Sequence, residues 1–384
     1  MRPFAQQSYP LKELAARAMS DNGSTRPVLL RVLTDLFVMR SSHSHDEVRQ
    51  FEEIAMRVVE DAGEAELLHV ARALCRHPDA PTEVLEQVVA HGGPAACLLL
   101  AECRKLSTMC ITTAASVGGP DCAAAVASRM DLDRALVKAL AARPELEVSR
   151  ALARNDAAPL ERDIIVSLIG RGRNDAELAQ ILCARWAYKP EAAPLFLQAT
   201  SRQRALMLAG LKRQMREAEQ ISVFMEPRAT AATRRIEAAA LAQDREGFVQ
   251  GLSHALELDR NLTVAILEDP EGEPLAIALR AIGVSPEVAT RILLFVDPVI
   301  SHSFGKVSRL TQLVATTSLD VAQIVIQAMR GSAPETSRAS HMPIFDQTAR
   351  PAPSRHLAET ALPGQAPRVR GRAEALAQRL NIRH

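Results

Sequence analysis

The apolar positions of this chain recur at helical intervals, and strand-like runs are scarce. In HDEVRQFEEIAMRVVEDAG (His45 to Gly63) they fall at Val48, Phe51, Ile54, Ala55, Val58 and Val59, one face of a helix. Ser44 or Asp46 is placed to cap that helix and Gly63 to end it. Leu29 to Phe37 forms an apolar segment ahead of it. Further on, Arg202 to Glu219 is a long amphipathic stretch, and residues 228–243 continue as an Ala-rich helix after Pro227. Helices follow over Gly247 to Leu258, Pro274 to Ile282, Pro286 to Val296 and Leu319 to Arg330. The last three carry their own punctuation: Gly283 closes the first, Ser285 and Pro286 open the second, and Ser318 and Gly331 bracket the third.

Between residues 67 and 200 the pattern repeats. Ala71 to Gly92 (ARALCRHPDAPTEVLEQVVAHG), Ala127 to Arg143 (ASRMDLDRALVKALAAR) and Ala151 to Gly170 (ALARNDAAPLERDIIVSLIG) each combine an Ala/Leu-rich helix end, an Arg, a short polar break and a second apolar helix. The recurrent arginines are Arg76, Arg104, Arg129, Arg154 and Arg185, separated by 28, 25, 25 and 31 residues. Asp79 and Asp131 or Asp133 are expected N-caps in the breaks, and Asp156 precedes a helix with Pro159 in its first turn. One repeat therefore reads as two short antiparallel helices, which bury their apolar faces only by stacking on neighbours.

The run AVASRMDLDRALVKALAARPELEVSRALARNDAAP (Ala125 to Pro159) resembles a bacterial family of helical proteins classed as a domain of unknown function. It is also similar to HEAT-type and leucine-rich-repeat-variant solenoids. The resemblance extends from LTDLF (Leu33 to Phe37) through LEDPEGEPLAIALRAIG (Leu267 to Gly283), over roughly residues 30–330. It implies an all-α, HEAT/armadillo-like α-solenoid and no particular activity. The expected organisation is a helical lead-in over 1–66, a repeat solenoid over 67–200 and a second helical layer over 201–330. A Pro-rich disordered tail over 331–384 ends in a short basic helix, Val369 to Leu380.

Composition agrees with close-packed helices: 47 % of residues are hydrophobic but only 3 % aromatic. No stretch approaches a membrane span, and Met1 to Pro10 has no apolar core of a signal peptide, so a cytoplasmic protein is expected. The net charge is +1 overall and zero over 67–200, which argues against a phosphate-binding surface there. Residues 201–245 and 331–384 each carry +4.

The chemistry-bearing residues are few. Cys75, Cys97, Cys103, Cys110, Cys122 and Cys183 lack close CxxC spacing, and Cys97 and Cys122 occupy equivalent repeat positions. They read as small packing residues. His43, His45 and Asp46 are the only local metal-like cluster and read as a polar helix start. HSFGKVSRL (His302 to Leu310) has Ile300 and Val307 where a P-loop needs Gly and Ser/Thr. Gly170 to Arg173 (GRGR) reads as an interhelical turn.

The recurrent arginines are the candidate partner-binding residues. In a solenoid they would form a ladder, either gripping helix C-terminal carbonyls and rung aspartates or facing a groove that takes acidic groups. The reading is a non-enzymatic cytoplasmic interaction scaffold with an unidentified protein partner, no cofactor and no metal. The alternatives are a nucleic-acid-binding HEAT-like protein, or a small-molecule sensor or enzyme with a site between the helical halves near Trp186 and Tyr188.

Overall fold

A computed structural model describes residues 26–217 and 230–331, and all regular structure among them is helical. The helices are α1 (Arg26–Val38), α2 (His45–Val59), α3 (Glu64–Leu74), α4 (Thr82–His91), α5 (Gly93–Glu102), α6 (Thr108–Ser116), α7 (Pro120–Ala127), α8 (Arg134–Ala142), α9 (Leu146–Arg154) and α10 (Arg162–Gly172). Then come α11 (Ala176–Trp186), a 3-10 helix (Pro190–Leu195), α12 (Ser201–Glu217), α13 (Ala231–Leu241), α14 (Arg245–Leu256), α15 (Arg260–Leu267), α16 (Glu273–Ala281), α17 (Pro286–Val296), α18 (Pro298–Ser301), α19 (Phe304–Thr316) and α20 (Leu319–Arg330). The tail over 331–384, with Val369 to Leu380, lies outside the described residues apart from Gly331. Contacts divide the described chain into two compact units, 26–164 and 165–331.

In the first unit alternate helices pack on one another. α1 packs on α3, α3 on α5, α5 on α7 and α7 on α9; α2 packs on α4 and α6 on α8 to one side of that row. The row is built from small and aliphatic residues. Ala95, Ala96, Leu99 and Leu100 of α5 meet a neighbourhood that includes Cys122, Ala123 and Val126 of α7, all buried. Short side chains let the helix axes approach closely, and a Leu buried there contributes about 1.5–3 kcal/mol.

In the second unit α16 is the core. All nine of its residues are buried, and it packs against α14, α15, α19 and α20. A helix apolar on every side belongs in an interior. Its two charged ends are satisfied there. Arg280 Nε donates to the Thr317 carbonyl at 2.8 Å. Glu273 accepts from Arg204 at 3.2 Å and from Arg309 at 3.1 Å.

Local punctuation mostly acts where the sequence places it. The Ser44 hydroxyl accepts from Glu47 N–H, and the Glu47 carboxylate accepts from Ser44 N–H, a reciprocal capping box. Asp133 caps α8, Ser285 caps α17 and Ser318 caps α20. Gly283 and Gly331 adopt φ of +79° and +73° at helix ends.

Three local expectations change. Asp79 does not cap α4; its carboxylate accepts from His43 N–H at 2.7 Å, and the N-cap position is Pro81. α10 starts at Arg162, so Pro159 precedes it. Gly170 to Gly172 are the last residues of α10 and only Arg173 of GRGR falls in the turn; at Gly172 a Cβ would crowd Leu182 and Leu195.

Candidate functional site

The row α3, α5, α7, α9 has two rims, and each gathers side chains from successive helices. At the C-terminal rim the chain leaves each helix near a recurrent arginine. Arg129, just past α7, is 3 % exposed. Its Nη1 donates to the Leu100 and Cys103 carbonyls at the end of α5, at 2.8 and 2.9 Å. Its Nε and Nη2 donate to the two Asp131 oxygens, both at 2.8 Å. The guanidinium thus closes the open end of α5 while its charge is matched by a bidentate carboxylate. The same fork holds the Asp131 carboxyl below the usual carboxylate range.

Arg143 repeats the device in the other layer. Its Nη1 donates to the Ala115 carbonyl of α6 at 3.2 Å, and Glu145 clamps it at 2.6 and 3.0 Å. In both, an acid stands two residues after the Arg; Arg129 grips C-terminal carbonyls and a rung aspartate as its place in the ladder implies, while Arg143 lies outside that ladder.

The next rung slips by one residue. Asn155, not Arg154, reaches back to α7, with its Nδ2 donating to the Ala127 and Arg129 carbonyls at 2.8 and 2.6 Å. Arg154 ends α9 exposed. Arg76 is also exposed, with Nη2 donating to Glu102 at the end of α5 at 2.8 Å. Arg104 is exposed and near enough to Asp131 to help lower its carboxyl.

Four of the five candidate arginines therefore sit at the C-terminal ends of consecutive packed helices, and one of the four points inward. Arg185 is in the second unit, with its guanidinium 4.7 Å from the Trp186 ring centroid. Trp186 is buried and Tyr188 half-exposed, against α12 at Gly210.

At the opposite rim α3, α5 and α7 begin at Gly63, Gly92 and Gly119, none of which offers a side-chain cap. These three turns border a solvent-open cavity of about 550 Å³. Its wall also carries Glu60, Asp61, Glu64, Asp121, His91, Cys97 and Cys122. Gly92 and Gly93, with φ of +74° and +70°, fold the α4–α5 connection tightly along that wall. The acids complement the positive ends of three helices and make the wall unfavourable for anions. Cys97 and Cys122 lie close enough to shift one another, Cys97 downward and Cys122 upward. Burial pushes Cys75, Cys110 and Cys183 to about 11, 12 and 11.

Among the described residues no group of three or more His, Cys, Asp or Glu is placed to hold a metal ion. His43 stacks on Phe37 at 4.0 Å and bonds its carbonyl, so it is part of the α1–α2 packing. Lys306 lies in the first turn of α19, capped by Ser303, with its Nζ on the Pro270 carbonyl. No helix among the described residues is long and apolar enough to cross a membrane.

The family described as "uncharacterised protein conserved in bacteria (DUF2336)" matches residues 95–327. This chain belongs to it. The DUF2336 region starts inside α5 and runs through most of α20, so it takes in the Arg129, Arg143 and Asn155 devices and the buried α16, but not α1 to α4. It is narrower than the roughly 30–330 over which the resemblance reads. No curated protein and no solved structure matches the chain.

Proposed function

We propose that this DUF2336 protein is a non-enzymatic interaction scaffold whose first unit is a HEAT-like solenoid, and that the C-terminal rim of the row α3, α5, α7, α9 binds an acidic segment of a protein partner. One observation carries the reading. Successive helix ends present exposed Arg76, Arg104 and Arg154 along one edge, while Arg129 between them is committed to holding the stack together. Stacked helix pairs suit extended partners because each rung adds the same kind of contact. Glu102 and Asp131 stand among these arginines, a mixture that favours a carboxylate-bearing peptide over a phosphate backbone. The proposed setting is the cytoplasm.

The test is affinity capture with the full-length chain and with an Arg76→Glu/Arg104→Glu/Arg154→Glu variant, each checked for fold by circular dichroism. Arg129 is left intact because reversing it would unfold the rim. The expected result is a defined protein that the variant fails to retain. Equal retention by both, or recovery of nuclease-sensitive material alone, overturns the proposal. The cavity at the other rim supports a second reading, a small-molecule sensor. A metabolite that raises the melting temperature of wild type, but not of an Asp121→Arg variant, would favour that reading.

A further inference from the structure

We infer that Cys97 and Cys122 are a peroxide-oxidisable thiol pair, reached through the cavity, that closes into a reversible disulfide between α5 and α7. The geometry has three parts. Cys97 lies in the second turn of α5 and Cys122 in the first turn of α7, and these two helices pack directly on each other. The two thiols lie close enough that each shifts the other. Both stand on the wall of a cavity of about 550 Å³, so a small molecule can meet them, and Cys97 is only half-buried.

The other thiols lack this combination. Cys75 and Cys103 are both buried, and neither lines the cavity. Cys110 and Cys183 are buried with 2 % and 1 % exposure. Exposure and thiolate character decide which sulfur reacts first: Cys97 is half-buried where Cys122 is 6 % exposed, and its neighbour Cys122 lowers the Cys97 thiol. Cys97 is therefore the attacking thiol and Cys122 the resolving one. Glu60, Asp61, Glu64 and Asp121 repel anionic oxidants, so the oxidant class is a small neutral hydroperoxide.

The chemistry balances with hydrogen peroxide as oxidant. The Cys97 thiolate attacks one peroxide oxygen, the O–O bond breaks, hydroxide leaves and takes up a proton, and Cys97 becomes a sulfenic acid. The Cys122 sulfur then attacks the Cys97 sulfur. The S–S bond forms, the S–O bond breaks, and the oxygen departs as water with the Cys122 proton. Two thiols are oxidised and one peroxide is reduced to two waters. A thiol such as dithiothreitol reverses the disulfide by exchange. Closed, the bond staples two neighbouring helices of the row at the end opposite the arginine rim, and it does so whether or not that rim binds a partner.

The experiment uses the reduced full-length protein freed of reductant. It is exposed to hydrogen peroxide under native conditions, free thiols are blocked with N-ethylmaleimide, and proteolytic peptides are mapped by mass spectrometry. The first cross-link expected joins the peptides carrying Cys97 and Cys122, and dithiothreitol removes it. In Cys122→Ser the oxidation stops at Cys97 sulfenic acid, captured by dimedone, while Cys75→Ser behaves as wild type. Both cavity cysteines remaining alkylatable after peroxide, or a Cys75–Cys103 link appearing first, overturns the proposal. The wild-type map alone decides the matter should a variant fail to fold.

Discussion

Replacing Arg129 with Met tests the central structural claim about the arginine rim. Met keeps most of the aliphatic stem and its packing, so the change isolates the guanidinium. Two carbonyls at the end of α5, those of Leu100 and Cys103, lose donors at 2.8 and 2.9 Å in a buried setting. Each is expected to cost about 1–3 kcal/mol. The bidentate pair to Asp131 is lost as well, but the Asp131 side chain is 55 % exposed and rehydrates, so that loss adds about 0–1 kcal/mol. Relief of the buried charge offsets part of the total, leaving about 3–4 kcal/mol.

Arg76, which occupies the corresponding sequence position, is the control. Its pair with Glu102 is 84 % and 50 % exposed, and Arg76→Met is expected to cost about 0–1 kcal/mol. The assay is urea unfolding of wild type and both variants, comparing midpoints at unchanged slope, with melting temperatures as a check. A 3–4 kcal/mol loss corresponds to a drop of roughly 6–16 °C for a unit of this size. Arg129→Lys should fall between, because an ammonium cannot fork across Asp131 and two carbonyls together. Arg129→Met within about 1 kcal/mol of Arg76→Met would refute the capping role.

Other consequences are equally direct. Arg204→Met removes the Asp269 fork at 2.9 and 2.6 Å and the donors to the Phe196 and Leu197 carbonyls, and it should cost about 3–5 kcal/mol in denaturant unfolding; a loss below about 1 kcal/mol would contradict this. Gly92→Ala forces φ +74° and ψ −160° on a residue with a Cβ, and nothing crowds that Cβ, so calorimetry should read the backbone strain alone, about 1–3 kcal/mol. The Ser44 backbone N–H and then Arg40 hold the Glu47 carboxyl at about 2, below its ordinary 4.5. Its stabilisation is therefore full above pH 4.5 and is lost as pH falls toward 2, and Glu47→Gln should flatten the stability–pH slope across that window; an unchanged slope would show that other carboxyls set it. Trapping with iodoacetamide at neutral pH should modify Cys97 well before Cys75, Cys110 and Cys183, and equal rates would contradict the differences in burial and thiol acidity.

Features that act over three or four residues were legible without a structure. Ser285 with Pro286, Ser318 with Gly331, and Ser44, one of two caps the sequence offers, delimit helices because a cap needs only its own first turn. The helical class followed from apolar spacing alone. Helices over Arg260–Leu267 and Phe304–Thr316 were not legible in the same way, although each carries a local cap, Asp259 and Ser303. Which arginine turns inward was not readable. Arg129 and Arg154 both precede an acid by two residues, Asp131 and Asp156, yet only the approach of a neighbouring helix end puts two carbonyls within reach of Arg129 and passes the next rung's task to Asn155. The nearness of Cys97 to Cys122 has the same origin. Repeat register makes them equivalent, but contact depends on how closely α5 approaches α7. Sequence determined the elements, because their hydrogen bonds close locally. Tertiary packing decided the partners, because bonds across tens of residues exist only where helices meet.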